Sequence, residues 1–142
     1  MVVAKQISTV ICIFFMVSLF ALAIPNESIA ADHDFDILKG EWIRPDGGYV
    51  LKINEINEDG FVGAEYLNPK PIRIKNARIS RWKEYLKLVV QFNDTGYKGS
   101  NYKLFYYKEK DALAGFYYQA QMDQTFKVVF VRKSDFLKNN NQ

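Results

Sequence analysis

Eight runs of alternating apolar and polar residues, bounded by Gly, Pro, Asn or Asp, follow one another from residue 38 to residue 132. Successive side chains on a strand point to opposite faces, so a period of two marks a sheet with one buried side. The runs cover 38–44, 48–53, 61–67, 72–80, 85–92, 102–107, 113–121 and 125–132. Tyr49, Leu51 and Ile53 share a face in the second, Val62, Ala64 and Tyr66 in the third, and Leu86, Leu88, Val90 and Phe92 in the fifth. In the fourth, Ile72 and Ile74 change phase to Ala77 and Ile79, which predicts a bulge near Asn76. The links are short. Arg44-Pro45-Asp46-Gly47 reads as a type I turn with Gly47 left-handed, Glu58-Asp59-Gly60 repeats that chemistry, and Asn68-Pro69-Lys70-Pro71 reads as an extended corner. Only 93–100 is a long loop. Eight sequential strands joined by hairpins form a meander, and closing it removes both exposed edges. The predicted fold class is all-β, an eight-stranded antiparallel up-and-down barrel over 38–133, with a flexible segment at 31–37 before it and a polar tail at 134–142 after it.

The N-terminus reads differently. Lys5 precedes an almost wholly apolar stretch at 7–24, and Ser28-Ile29-Ala30 has the small-x-small pattern of a signal-peptidase site. Residues 1–30 are read as a signal peptide cleaved after Ala30, with Ala31 the alternative position, which places the mature chain in the periplasm or outside the cell. The competing reading is an uncleaved anchor, since about 18 apolar residues can span a bilayer. The Pro, the polar residues and the Ala pair that follow favour cleavage, which leaves no membrane span. Cys12, the chain's one cysteine, lies inside the apolar run, so an exported product carries no disulfide and depends on its core.

These residue types exclude much chemistry. Without a mature cysteine there is no thiol nucleophile and no thiolate metal site. The one histidine, His33, lies ahead of the first strand, which excludes a buried Ser-His-Asp triad. The acidic run at 54–60 lacks the spacing of a calcium loop and reads as a solvated hairpin. Neither a metal nor a cofactor is expected, and the remaining catalytic option is Glu65 with a tyrosine. A net charge of +3 is too mild to imply nucleic acid. The basic residues around Trp82 (Arg73, Lys75, Arg78, Arg81, Lys83) are read as a solvated barrel face.

Gly40, Trp42 and Arg132, a Gly-x-Trp on the first strand and an Arg at the end of the last, resemble the pattern of the calycins, which include lipocalins, fatty-acid-binding proteins and avidins. The resemblance implies a barrel closed at one end by Trp42. Arg132 is expected to lie across the indole by cation–π attraction and to bond nearby carbonyls, with Gly40 leaving room for the ring. The chain also resembles a family of small exported bacterial proteins with no known activity, through G-x-W-x-R-P-D-G-G-Y at 40–49, Asn68-Pro69-Lys70-Pro71-Ile72, and Tyr117-Tyr118-Gln119. The avidin ligand residues are not matched: Arg44 and Gly48 stand near the places of an Asn and a Ser, and Trp82 is the one tryptophan besides Trp42.

Aromatic residues make up 15% of the chain, and they concentrate at 102–119. Alternation sends Tyr102, Tyr106 and Tyr117 one way with Gln119, and Phe105, Tyr107, Phe116 and Tyr118 the other. The first set, with Tyr66, is expected to line a cavity for a small apolar or aromatic ligand. The second is either a partner surface for a secreted or envelope protein or a set of cross-strand pairs that only stabilises the hairpin. The expected role is that of an exported non-catalytic binding protein. The alternative is a protein-interaction module or inhibitor acting through the outer strip or the 93–100 loop.

Overall fold

The computed structural model describes residues 34–141. The signal peptide read over 1–30, both cleavage positions, Cys12 and His33 lie outside the described residues. Among the described residues, nine strands form one antiparallel sheet: β1 (Gly40–Ile43), β2 (Val50–Ile56), β3 (Val62–Asn68), β4 (Lys70–Ile72), β5 (Ile74–Trp82), β6 (Tyr85–Phe92), β7 (Asn101–Tyr107), β8 (Ala112–Gln119) and β9 (Gln124–Arg132). Their spatial order is β4-β3-β2-β1-β9-β8-β7-β6-β5. First and last strands meet, with Trp42 opposite Arg132. The two ends of that order, β4 and β5, are separated along the chain by Arg73 alone. Phe61 bridges to Arg78, and the Ile79 amide donates to the Gly60 carbonyl at 2.7 Å. The sheet is a nearly closed barrel.

Nine strands replace the eight expected because the run at 72–80 is not one strand. Ile72 pairs with Tyr66 of β3, whereas Ile74 pairs with Phe92 of β6. Between them the Arg73 amide donates to Asp94 Oδ2 (2.8 Å) and its carbonyl accepts from the Asn93 amide (3.0 Å). Pro71 has no N–H, which confines its segment to a short edge strand. The register then shifts between Ile74 and Asn76, where the change of phase had marked a bulge.

Three local expectations change. At the first hairpin Gly48, not Gly47, has the positive φ (69°). The Gly48 amide bonds the Arg44 carbonyl (2.8 Å) while the Arg44 amide bonds the Tyr49 carbonyl (2.9 Å), so the loop holds four residues instead of three. Phe35–Leu38 is a 3-10 turn that takes up the end of the segment expected to be flexible together with Leu38, which is expected to open the first strand and is fully buried. Most of the polar tail is α1 (Lys133–Asn140), a helix with Asp135 in its first turn and Lys138 in its last, matching the helix dipole. None of its residues is buried, which is why no apolar periodicity announced it.

The inward faces carry the core: Trp42, Leu51, Ile53, Ile79, Leu88, Val90, Phe92, Tyr102, Leu104 and Phe130 are each at most 2% exposed.

Candidate functional site

One end of the barrel is sealed. Trp42 is fully buried and its indole N–H donates to the Leu38 carbonyl at 2.9 Å. The Arg132 guanidinium lies 3.8 Å from the centroid of the indole. It donates to the Lys39 carbonyl (2.7 Å), to the Ile37 carbonyl and to Asp111 Oδ2 (2.9 Å). The 3-10 turn is thereby tied across the end. A Cβ on Gly40 would sit 3.3 Å from Arg132 Nη1, so the missing side chain makes room for the guanidinium rather than for the indole. Tyr106 joins this end. Its ring meets Trp42 edge-on at 6.1 Å and its hydroxyl donates to Asp111 Oδ1 at 2.9 Å. Burial opposes ionisation of Asp111, but the bonds from Arg132 and Tyr106 win and hold its carboxyl below the usual range.

The other half holds a cavity of about 370 Å³, lined by Arg44, Tyr49, Tyr66, Asn68, Gly96, Tyr97, Tyr102, Tyr117, Gln119 and Gln121. Four of the five residues expected to bind a ligand are brought together here: Tyr66, Tyr102, Tyr117 and Gln119. Tyr106 is not among them. It lies on the same face of β7 as Tyr102, but four residues further along a strand rising about 3.3 Å per residue, which carries it to the Trp42 end.

The cavity is more polar than expected for an apolar ligand. The Tyr66 and Tyr102 hydroxyls are 2.7 Å apart, and Arg44 Nη1 donates to the Tyr102 oxygen at 3.0 Å. Burial pushes the Tyr66 and Tyr102 hydroxyls above the ordinary phenol value, so both remain protonated. Arg44 is 11% exposed at its side chain and grips Asp46 with two parallel bonds, from Nε at 3.0 Å and Nη2 at 2.5 Å. Burial disfavours its charge, but the bonds to Asp46 and Tyr102 outweigh that and hold it fully protonated. The same Arg44 bond keeps the Asp46 carboxyl below its usual value. Arg44 also covers the Tyr49 ring at 4.7 Å, and the Tyr102 and Tyr117 rings lie 4.7 Å apart. Asn68 donates to the Tyr97 hydroxyl, which brings the 93–100 loop into the lining.

The signals for the missed residues differ. Arg44 has the parity of Trp42, and alternation carried past the end of β1 places it inside; its position in a turn signature concealed that. Tyr49 has the parity of Leu51. Tyr97 belongs to an irregular loop, which has no period to read.

Phe105, Tyr107, Phe116 and Tyr118 all lie on the outer face. The first three line a shallow groove of about 520 Å³ with Trp82, Tyr85 and Val129. Trp82 (46% exposed), Phe116 (45%) and Val129 (48%) make it an apolar surface. Tyr118 stands apart from it, its hydroxyl bonded to Asp123 at 3.0 Å. Glu65 is also outside, accepting from Asn54 at 2.9 Å and facing Lys52. Of the basic residues near Trp82, Arg78 covers the Phe61 ring and Arg81 pairs with Asp34.

Among the described residues no group of three or more His, Cys, Asp and Glu could hold a metal ion. Nor is any helix among them long and apolar enough to cross a membrane, which says nothing of strands. No family model matches this chain, and no curated protein or solved structure does either.

Proposed function

We propose that the chain is an exported, non-catalytic binding protein that holds a small aromatic ligand in the open half of a calycin-like barrel. The observation that carries this reading is the cavity of about 370 Å³, whose lining combines five tyrosines with Arg44, Asn68, Gln119 and Gln121. Sites for small molecules are concave, have a volume of about 300–1,000 Å³ and place a few polar groups among aromatic walls. The sealed end, with Arg132 over Trp42, supports the calycin kinship, and it leaves the Arg44 half as the way in. Export rests on the leader at 1–30 and on a mature chain without cysteine.

Native mass spectrometry of the protein purified from its own host tests the reading. A retained small molecule is the expected result, and Tyr117→Phe should weaken its retention while barely changing stability. One hydrogen bond is worth about 0.5–1.5 kcal/mol, roughly two- to tenfold in affinity. Protein that stays free of small molecules in every preparation, and takes up none from a host extract, would refute it.

The outer groove favours a second reading, a contact surface for a secreted or envelope protein. Contiguous exposed aromatics of this kind, Trp82, Tyr107 and Phe116, mark partner surfaces more often than solvated walls. Tyr107→Ala should then leave the fold intact and abolish copurification of a partner that the wild type retains. Equal copurification would remove this reading.

A further inference from the structure

We infer that the ligand carries a carboxylate head, received by Arg44 together with the one phenolic proton that Tyr66 and Tyr102 leave over. This rests on the cavity being a ligand site and adds the chemistry of what it takes.

Tyr66 (2% exposed) and Tyr102 (0%) bring two hydroxyl protons, and their oxygens share a single bond of 2.7 Å. Whichever of them donates, the other proton has no acceptor among the described residues. The Tyr102 oxygen is already an acceptor, since Arg44 Nη1 donates to it. A guanidinium has five N–H groups. Three of those on Arg44 are committed, two to Asp46 and one to Tyr102, which leaves one on each terminal nitrogen. The Arg44–Tyr102–Tyr66 chain therefore presents a surplus of donors. No carboxylate of the protein lines the cavity, because the lining contains neither Asp nor Glu.

The charge balance points the same way. Asp46, the counter-ion of Arg44, is 60% exposed at its side chain and lies outside the cavity lining. A ligand carboxylate thus reaches the guanidinium without meeting a like charge inside the barrel, and it competes only with a water-screened neighbour. Charge-assisted bonds of this kind are the strong ones, and a planar guanidinium suits a planar carboxylate. A cationic head would face the guanidinium and surplus donors with no carboxylate in the lining to accept from it. The Tyr49 and Tyr117 rings beside the head favour a flat, aromatic body.

The test is titration, followed by isothermal calorimetry and by the NMR signals of the Arg44 side chain, with phenylacetate and 3-phenylpropionate against phenylacetamide and phenethylamine. The carboxylates should bind about tenfold or more tightly than the amide, from the difference between charged and neutral hydrogen bonds. The amine should not bind. Arg44→Gln should erase the carboxylate preference, bringing the carboxylates down to the affinity of the amide. Asp46→Asn should act in the opposite sense, tightening the carboxylates about two- to fivefold by removing a screened competitor. That variant keeps the Arg44 side chain, so it tests the idea even if Arg44→Gln does not fold. An amide that binds as tightly as the carboxylates, or an Asp46→Asn protein that binds carboxylates no better, would overturn the head-group assignment and leave the cavity a ligand site. Failure of every probe to bind or to move a cavity resonance would overturn the head group and the cavity reading together.

Discussion

Gly60 is where the barrel closes, and Gly60→Ala measures how much that closure contributes. The residue has φ +77°, and a Cβ placed on it would lie 2.4 Å from the Ile79 carbonyl oxygen. Its own carbonyl accepts the Ile79 amide at 2.7 Å, one of the contacts that bring β5 against the β2–β3 hairpin. Three terms set the size of the effect. The left-handed conformation costs an L-residue about 1–2 kcal/mol. Relieving the clash means moving backbone, because the atom in the way is a carbonyl, and giving up that hydrogen bond costs about 0.5–1.5 kcal/mol more. The stiffer unfolded chain of the alanine variant returns about 0.4–1 kcal/mol. The net loss is about 2 kcal/mol, or roughly 8–16 °C in melting temperature for a domain near this size. Gly48→Ala is the internal control: it has φ +69°, but its Cβ would meet nothing within 4 Å. It carries the conformational cost alone, about 0.5–1 kcal/mol after the same offset. Urea melts of both variants, read by tryptophan fluorescence, isolate the close approach as their difference. Equal losses would show that nothing presses on Gly60, and the closure between β3 and β5 would lose its support.

Other outcomes follow from the same geometry. Trp42→Ala should cost about 3–5 kcal/mol in denaturant melts, the usual range for a fully buried large aromatic, and a loss below about 1 kcal/mol would mean that the indole does not hold the sealed end. Asp111 has a depressed folded pKa, so its stabilisation is fully present above its ordinary value of 3.8 and is lost as pH falls through the folded value. Wild type should therefore lose more stability than Asp111→Asn on acidification below about pH 4, and parallel acid profiles would refute the Arg132–Asp111–Tyr106 account; Asn suits the left-handed backbone there (φ 41°). For export, Edman or mass-spectrometric sequencing of the envelope fraction should find Ala31 or Asp32 first, and an intact Met1 on membrane-bound material would show that 7–24 is an anchor.

Alternation along single strands was enough to sort Tyr102, Tyr106 and Tyr117 from Phe105, Tyr107 and Phe116, because which face a side chain takes on a strand is a local property with a period of two. The same local logic placed the bulge near Asn76; the contact of Arg132 with Trp42 was expected from the calycin resemblance instead, and it forms where the first and last strands meet. What a strand cannot record is height: Tyr102 and Tyr106 have equal parity, yet one lines the cavity and the other seals the far end. Their separation acquires meaning only when neighbouring strands set which residues share a layer. The division of 70–82 into β4 and β5 likewise depended on partners, as Arg73 bonds to the 93–94 segment instead of continuing a ladder. Arg44 and Tyr97 entered the site from a turn and a loop, where direction is set by tertiary bonds to Asp46, Tyr102 and Asn68 and by no periodicity. The sequence by itself determined the all-β pattern and the inside and outside of each wall, because those follow from the alternation of a single chain. Which inward residues meet at one level, and so where the cavity and its donors lie, was decided by the tertiary structure, because it depends on how nine strands are staggered against one another.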